Sequence, residues 1–445
     1  MTKLLHRSTK LSFDIATSGQ GSWLTLQDGR QVLDASGGAA VACIGHGNRR
    51  VAEAMADQAM KIGYLHTMFF SSEPAEELAE LLINLSGGAF SHAFFVSSGS
   101  ETMESALKMA LQYHVERGET GRTRFISRRQ SYHGNTFGAL AASGHVGRRS
   151  IYEGVLMTNF SFVGPSFPYH YQPAGMSDAD YVAQSAAELE AEIQRLGPGT
   201  VAAFIAETIV GATSGCAVAA PGYFAAMRQV CDRHGILMIA DEIMCGMGRS
   251  GKVHAWEWEE GYRPDLQAVA KGLGGGYAPI GAMLVSPRVM AALDAGTGAF
   301  VHGHTYQAHP VAARAALEVQ RIIQEDRLVD NVATLGPVLT RALRDRFAQH
   351  PHVGDIRGRG FFQALEFVRD RETRAPFDGT AGFSAKLKAA GLEAGLAIYP
   401  NGGTIDGVRG DHVIIAPSFN ADMAEIEMIC DRLDRAISAA VAACS

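Results

Sequence analysis

Long apolar runs are missing from this 445-residue chain, and no stretch is both long and uncharged enough to span a bilayer. The opening residues, Met1 to Arg7, hold no apolar core of a secretory leader, so a cytoplasmic protein is expected. Surplus basic charge is absent too. With 39 Lys and Arg against 46 Asp and Glu, the formal net charge of −7 argues against nucleic acid as a partner and suits a small-molecule substrate. Cysteine is sparse: Cys43, Cys216, Cys231, Cys245, Cys430 and Cys444 form no Cys-x-x-Cys, which disfavours a thiolate metal site and fits reduced thiols. Internal repeats and low-complexity segments are also lacking.

What is present is a chain too long for one compact core, with strands alternating with helices from about His46 to Glu325. Strands are expected at 93 to 97, 123 to 127, 201 to 206, 236 to 240, 267 to 270 and 281 to 285, giving an α/β fold with a mainly parallel sheet. Short strands and turns precede this region. After it come a helix from Pro310 through Gln324, a strand pair around a glycine turn between Val353 and Val368, and an amphipathic helix from Ala421 to Ala442.

Three places carry chemistry. Lys271 ends an apolar run that stops in glycines, so its amine is held at the edge of a core; lost hydration favours the neutral, nucleophilic form. A surface lysine capping a glycine turn gives the same pattern. Asp241 closes the apolar run Gly235 to Ala240 at the sheet edge where ligands of open α/β sheets bind, and could hold a ring nitrogen protonated. A helix cap or a magnesium ligand is the alternative there, and the adjacent Glu242 reads as structural. Finally, Ala93 to Ser100 passes from an apolar strand through Ser98, Gly99 and Ser100 into a helical pattern, which builds an anion site or an ordinary serine cap.

Other patterns compete. Gly246 to Lys252 fits the GxxxxGK spacing, yet Val253 follows where a magnesium-binding hydroxyl belongs. Gly272 to Tyr277 misses GxGxxG at its last position. His302, His304 and His309 invite a metal reading, but their spacing matches no ligand pattern, and no metal is expected.

In order, Ser98 to Glu101, Ser131 to Gly134, Ala206 and Glu207, Asp241 to Ile243, Lys271 to Gly276 and Gly303 to Gln307 resemble the class III aminotransferases, from about Trp23 to the last helix. The similarity is to the ω-amino acid or amine:pyruvate members of that family. It implies a fold-type I enzyme dependent on pyridoxal 5′-phosphate, with a large domain at 47–325 around a seven-stranded-type sheet. A smaller α+β domain would be built from an N-terminal segment, 1–46, and a C-terminal one, 326–445. By this resemblance Lys271 forms the internal aldimine and shuttles the proton, and Asp241 pairs with the pyridinium nitrogen. Ser98, Gly99 and Ser100 hold the phosphate, Tyr132 and Ile243 flank the ring, and Glu207 lies near the ring oxygen. His133 belongs with the cofactor contacts as a hydrogen-bond partner outside the catalytic pair.

The resemblance further implies a homodimer in which Thr305 reaches the neighbouring subunit's phosphate, with the small residues Gly37 to Cys43 approaching the partner's cofactor or simply packing closely. Arg409 and Trp23 are expected at the substrate, Arg409 as a carboxylate ligand or else an exposed loop residue. Glu207 is followed by Thr208, where many members carry proline. The expected reaction moves an amino group from an ω-amino acid or primary amine to a 2-oxo acid, pyruvate above all, in two half-reactions. Aminomutase, decarboxylase or lyase chemistry on the same lysine is the alternative, with an ATP-dependent enzyme built on Gly246 to Lys252 and a cofactor-free scaffold as more distant rivals.

Overall fold

The structure, a computed structural model, describes residues 3–444; Met1 and Thr2, the first residues of the segment expected to hold no leader, lie outside the described residues. Its centre is a seven-stranded sheet ordered His92–Val96, Gly281–Val285, Leu266–Val269, Leu237–Asp241, Val201–Glu207, Arg124–Arg128, Phe160–Val163. Only Gly281–Val285 runs against its neighbours; the remaining pairings are parallel. Val201–Glu207 and Leu237–Asp241 are buried along their whole length, which is why they read as continuous apolar runs instead of alternating ones. Parallel pairing sets Asp241 directly beside Glu207 at one edge of the sheet.

Six of these strands fall where the apolar runs placed them. The seventh, Phe160–Val163, was not expected: it is four residues long, half-buried at the sheet's edge, and follows a turn-rich segment that hides its alternation.

A second sheet, wholly antiparallel, orders Val353–Arg359, Phe362–Phe367, Asp411–Ile415 and Tyr399–Gly402. Its first hairpin turns at Gly360, whose φ of 58° a side chain would strain. A third sheet joins the two ends of the chain: Ala16–Gln20, Trp23–Leu26 and Gln31–Asp34 pair in sequence, and Leu396–Ala397 adds in parallel to Gln31–Asp34. One apolar core accordingly combines Leu33, Cys43 and Ile44 with Leu343, Phe361, Leu365 and Leu433. We propose the division into segments 1–46, 47–325 and 326–445 on the strength of this shared core.

The helix starting at Pro310 runs Pro310–Glu325, and the last helix is Met423–Cys444, buried along Ile426, Ile429, Leu433 and Ile437. Among the described residues no helix is long and apolar enough to cross a membrane. All six cysteines are free.

Candidate active site

Strand ends at the C-terminal edge of the large sheet converge on a cavity of about 420 Å³ lined by Ser98, Gly99, Ser100, Tyr132, His133, Glu207, Asp241, Ile243 and Lys271. Nine residues expected at the site thus share one cavity.

Lys271 follows the fully buried strand Leu266–Val269 and opens a single 3-10 turn, Lys271–Leu273, closed by Gly274 and Gly275 N–H groups donating to its carbonyl. Its φ of 44° is a left-handed conformation unusual for a side-chain-bearing residue. Burial pulls its amine down to about 8, against the opposing pull of Asp241 and Glu207. An amine so shifted is about one-tenth neutral at pH 7, against less than about a thousandth for an ordinary lysine.

Asp241 is buried, and both oxygens are engaged: the Ile243 N–H donates to Oδ1 at 3.1 Å, and His133 Nδ1 lies 2.8 Å from Oδ2. His133 in turn has a buried Nε2 with no protein partner. Glu207 accepts from Tyr132 N–H at 3.0 Å and from Gly211 N–H at 2.9 Å. Burial first, then the charge of Asp241, raises its pKa. The next acid, Glu242, is a structural hub: it accepts from Thr208 Oγ1, the Ala255 and Trp256 N–H groups and Gln267 Nε2, and burial raises it to about 7.

The helix Gly99–Glu116 begins at the cavity. Ser98 Oγ caps it by accepting from Glu101 N–H at 3.2 Å, the Glu101 carboxylate returns to Ser97 N–H at 2.7 Å, and Thr102 N–H reaches the Ser98 carbonyl. The N–H groups of Gly99 and Ser100 are left for an outside acceptor at the positive end of the helix. A side chain at position 99 would meet Ile243 at 2.9 Å, so glycine lets the helix start and Ile243 approach each other. Ser100 Oγ donates to Asn135 Oδ1 at 2.9 Å and accepts from Asn135 N–H, tying helix to loop. Asn135 was missed; an ordinary loop asparagine carries no sequence signal.

Three expected site residues lie elsewhere in this chain. Thr305 sits on an exposed turn outside the cavity. Arg409 is exposed and held by Asp406, which accepts from its Nε at 2.7 Å and its N–H at 2.8 Å. Trp23 packs against the core shared by the chain ends, under the guanidinium of Arg432 at 5.0 Å. Conversely, Val41, from the run expected to approach a partner's cofactor, lines the cavity of its own chain, as do Arg148, Met244 and Tyr399.

The competing motifs have other occupations. Lys252 donates to the Glu257 carbonyl and lies 4.4 Å over the Trp258 ring. His309 caps the Pro310–Glu325 helix, and His302 contacts Ser105 at 3.1 Å.

A depressed lysine facing a buried carboxylate, beside a helix start with two open N–H groups, fits an aldehyde-bearing cofactor with a ring nitrogen and a phosphate; the class so defined is the pyridoxal 5′-phosphate enzyme. The family described as class-III aminotransferase matches residues 6–437, and the chain belongs to that family. It is 47% identical over 424 residues to an uncharacterized aminotransferase of Schizosaccharomyces pombe, covering 95% of this chain and 92% of that one. It is 33% identical to both the diaminobutyrate–2-oxoglutarate transaminase of Halomonas elongata, with 95% and 90% covered, and the putrescine–pyruvate aminotransferase of Pseudomonas aeruginosa, with 93% and 88% covered. The ω-transaminase of Pseudomonas jessenii in complex with PMP superposes with a TM-score of 0.92 at 31% identity, covering 99% of this chain and 97% of that one. The protein is therefore an aminotransferase of fold type I that uses pyridoxal 5′-phosphate, an amino donor and a 2-oxo acid acceptor.

Proposed function

We propose that the enzyme transfers the amino group of an ω-amino acid or primary amine to pyruvate in two half-reactions. The observation that carries the reading is Lys271, depressed to about 8, sharing one cavity with buried Asp241. Likeness to a putrescine–pyruvate aminotransferase and an ω-transaminase supports an amine donor and pyruvate; likeness to a 2-oxoglutarate-using relative keeps the acceptor as the point to test.

The cofactor, when bound, supplies an aldehyde to capture amines and a cationic ring to receive the electron pair left when a proton departs. Around it, the Lys271 amine would hold the aldehyde end of the cofactor and would serve as the base for the proton on the amine-bearing carbon of the substrate. Asp241, fixed by His133 and the Ile243 N–H, would hold the ring nitrogen and favour its protonated form. The Gly99 and Ser100 N–H groups would hold the phosphate with the Ser98 and Ser100 hydroxyls at hand; Tyr132 and Ile243 would flank the ring, and Glu207 would lie on its oxygen side.

Thr305 completes the phosphate site from a second copy. In support, its turn adjoins an exposed apolar surface of Tyr64, Met68, Phe69, Phe70 and Tyr306, in which Tyr64 and Tyr306 meet edge to face at 5.9 Å. Arg409 reaches a substrate carboxylate by leaving Asp406, and Trp23, packed against the chain-end core, contributes to the substrate side.

The test is a panel of amine donors against pyruvate and 2-oxoglutarate. Conversion of the bound cofactor to its pyridoxamine form by amines alone, and its reversal by pyruvate, is expected. A clear preference for 2-oxoglutarate refutes the acceptor, and failure of every donor refutes transamination of amines.

A further inference from the structure

Arg148 is the cavity's one cationic side chain besides Lys271, and no residue role so far described uses it. It belongs to the short turn Val146–Arg149, capped by His145 Nδ1 accepting from its N–H, and its guanidinium lies 4.3 Å over the Tyr132 ring. Neighbouring Arg149 is spent on Glu153 and on the carbonyls of Leu140, Ala141 and Ser143, whereas no carboxylate pairs with Arg148 among the described residues. Its charge adds to the burial that lowers His145 and, as the smallest of several influences, to that on Lys271. Met244, Ala278 and Ile280 supply an apolar wall that strengthens any ion pair formed there. Arg409, by contrast, stands outside, held by Asp406 through its Nε and its backbone N–H, with the Val408 N–H donating to the same carboxylate.

Resting on the transaminase reading, we infer that Arg148 is the resident carboxylate-binding residue of this cavity: stacked on Tyr132, it receives a substrate carboxylate in the fork of its guanidinium, without first leaving a carboxylate partner as Arg409 must. The aromatic face presets the planar guanidinium, and a carboxylate matches its paired N–H groups. The carboxylate belongs either to the 2-oxo acid or to the far end of an ω-amino acid.

Both sources are separated with wild-type, Arg148→Gln and Arg148→Lys holoenzymes. Propionate, a carboxylate with nothing to react, is titrated calorimetrically. Half-reactions are followed by cofactor absorbance with pyruvate and butyraldehyde as acceptors, and with β-alanine and butylamine as donors. Arg148→Gln is expected to weaken propionate binding about tenfold or more, and to lower kcat/KM for a carboxylate substrate at least tenfold more than for its carboxylate-free counterpart, mainly through KM. A deficit confined to pyruvate assigns the acceptor carboxylate, and one confined to β-alanine assigns the donor's; either supports the inference. The Lys variant should recover part of the loss because charge is retained. Equal losses for charged and uncharged substrates, no recovery with Lys, or weaker binding of pyridoxal 5′-phosphate with propionate affinity unchanged would each overturn it. Inactivity of the wild type toward every donor and pyruvate would instead remove the transaminase reading, with propionate binding still reporting on Arg148.

Discussion

His133 Nδ1 stands 2.8 Å from Asp241 Oδ2 with both side chains buried, so the carboxylate that faces the cavity is oriented by a ring that cannot turn away. On the proposed pairing with a ring nitrogen, Asp241→Asn removes the charge that the pairing needs. The expected loss in kcat is about 10²- to 10³-fold, the rate equivalent of a pairing worth two to three pKa units. His133→Asn keeps a donor but loses the ring's fixed direction, and about tenfold is expected. Single-turnover rates with a good amine donor check both; equal losses would mean His133 does more than position.

Lys271 gives a pH dependence. Its pKa falls from the usual lysine range to about 8, so the neutral fraction in the cofactor-free protein rises as pH passes through 8. Between pH 7 and 9 the rate of reconstitution with pyridoxal 5′-phosphate should increase about eight- to tenfold, from a tenth neutral to nine-tenths. Lys271→Ala should abolish both the visible band and turnover. A flat profile across that window would contradict the depressed amine.

Thr208 has a reason to differ from proline. Its hydroxyl donates to Glu242 Oε1 at 2.8 Å, one of four donors that hold a carboxylate buried beneath the site. Thr208→Val leaves that oxygen short of a partner and should cost about 1–3 kcal/mol in denaturant unfolding of the holoenzyme. A change below about 0.5 kcal/mol would show that the remaining donors suffice.

The proposed donation of Thr305 across an interface predicts complementation. Lys271→Ala and Thr305→Ala subunits, mixed and re-annealed, should yield a hybrid dimer with one site carrying both native residues. Titration with pyridoxal 5′-phosphate should then reveal a fraction of sites with wild-type affinity that neither parent has. If Thr305 acts within its own chain, the mixture shows none.

The legible parts of the sequence were those where burial is continuous. Leu237 to Asp241 and Leu266 to Val269 are apolar because both sheet faces are covered, so their ends, and with them Asp241 and Lys271, could be found from the pattern. Ser98 and Gly99 were legible because capping needs those residue types. Phe160–Val163 was not, being a short edge strand. Nor was the position of Trp23, which tertiary packing fixes against Arg432 from a distant helix, or that of Arg148, an arginine among others until the fold laid it over Tyr132. Val41 in its own chain's cavity likewise depends on the path of the backbone after Gln31–Asp34.

The strand Leu396–Ala397 completes its sheet only by finding Gln31–Asp34, more than 350 residues earlier in the chain. During synthesis the amino-terminal strands must therefore wait, unpaired on one side, until nearly the whole polypeptide has emerged, while the central sheet has all its strands by residue 285. Maturation is thus expected in two stages, with the late stage slow and exposed to misassembly, because so remote a pairing is entropically expensive to find.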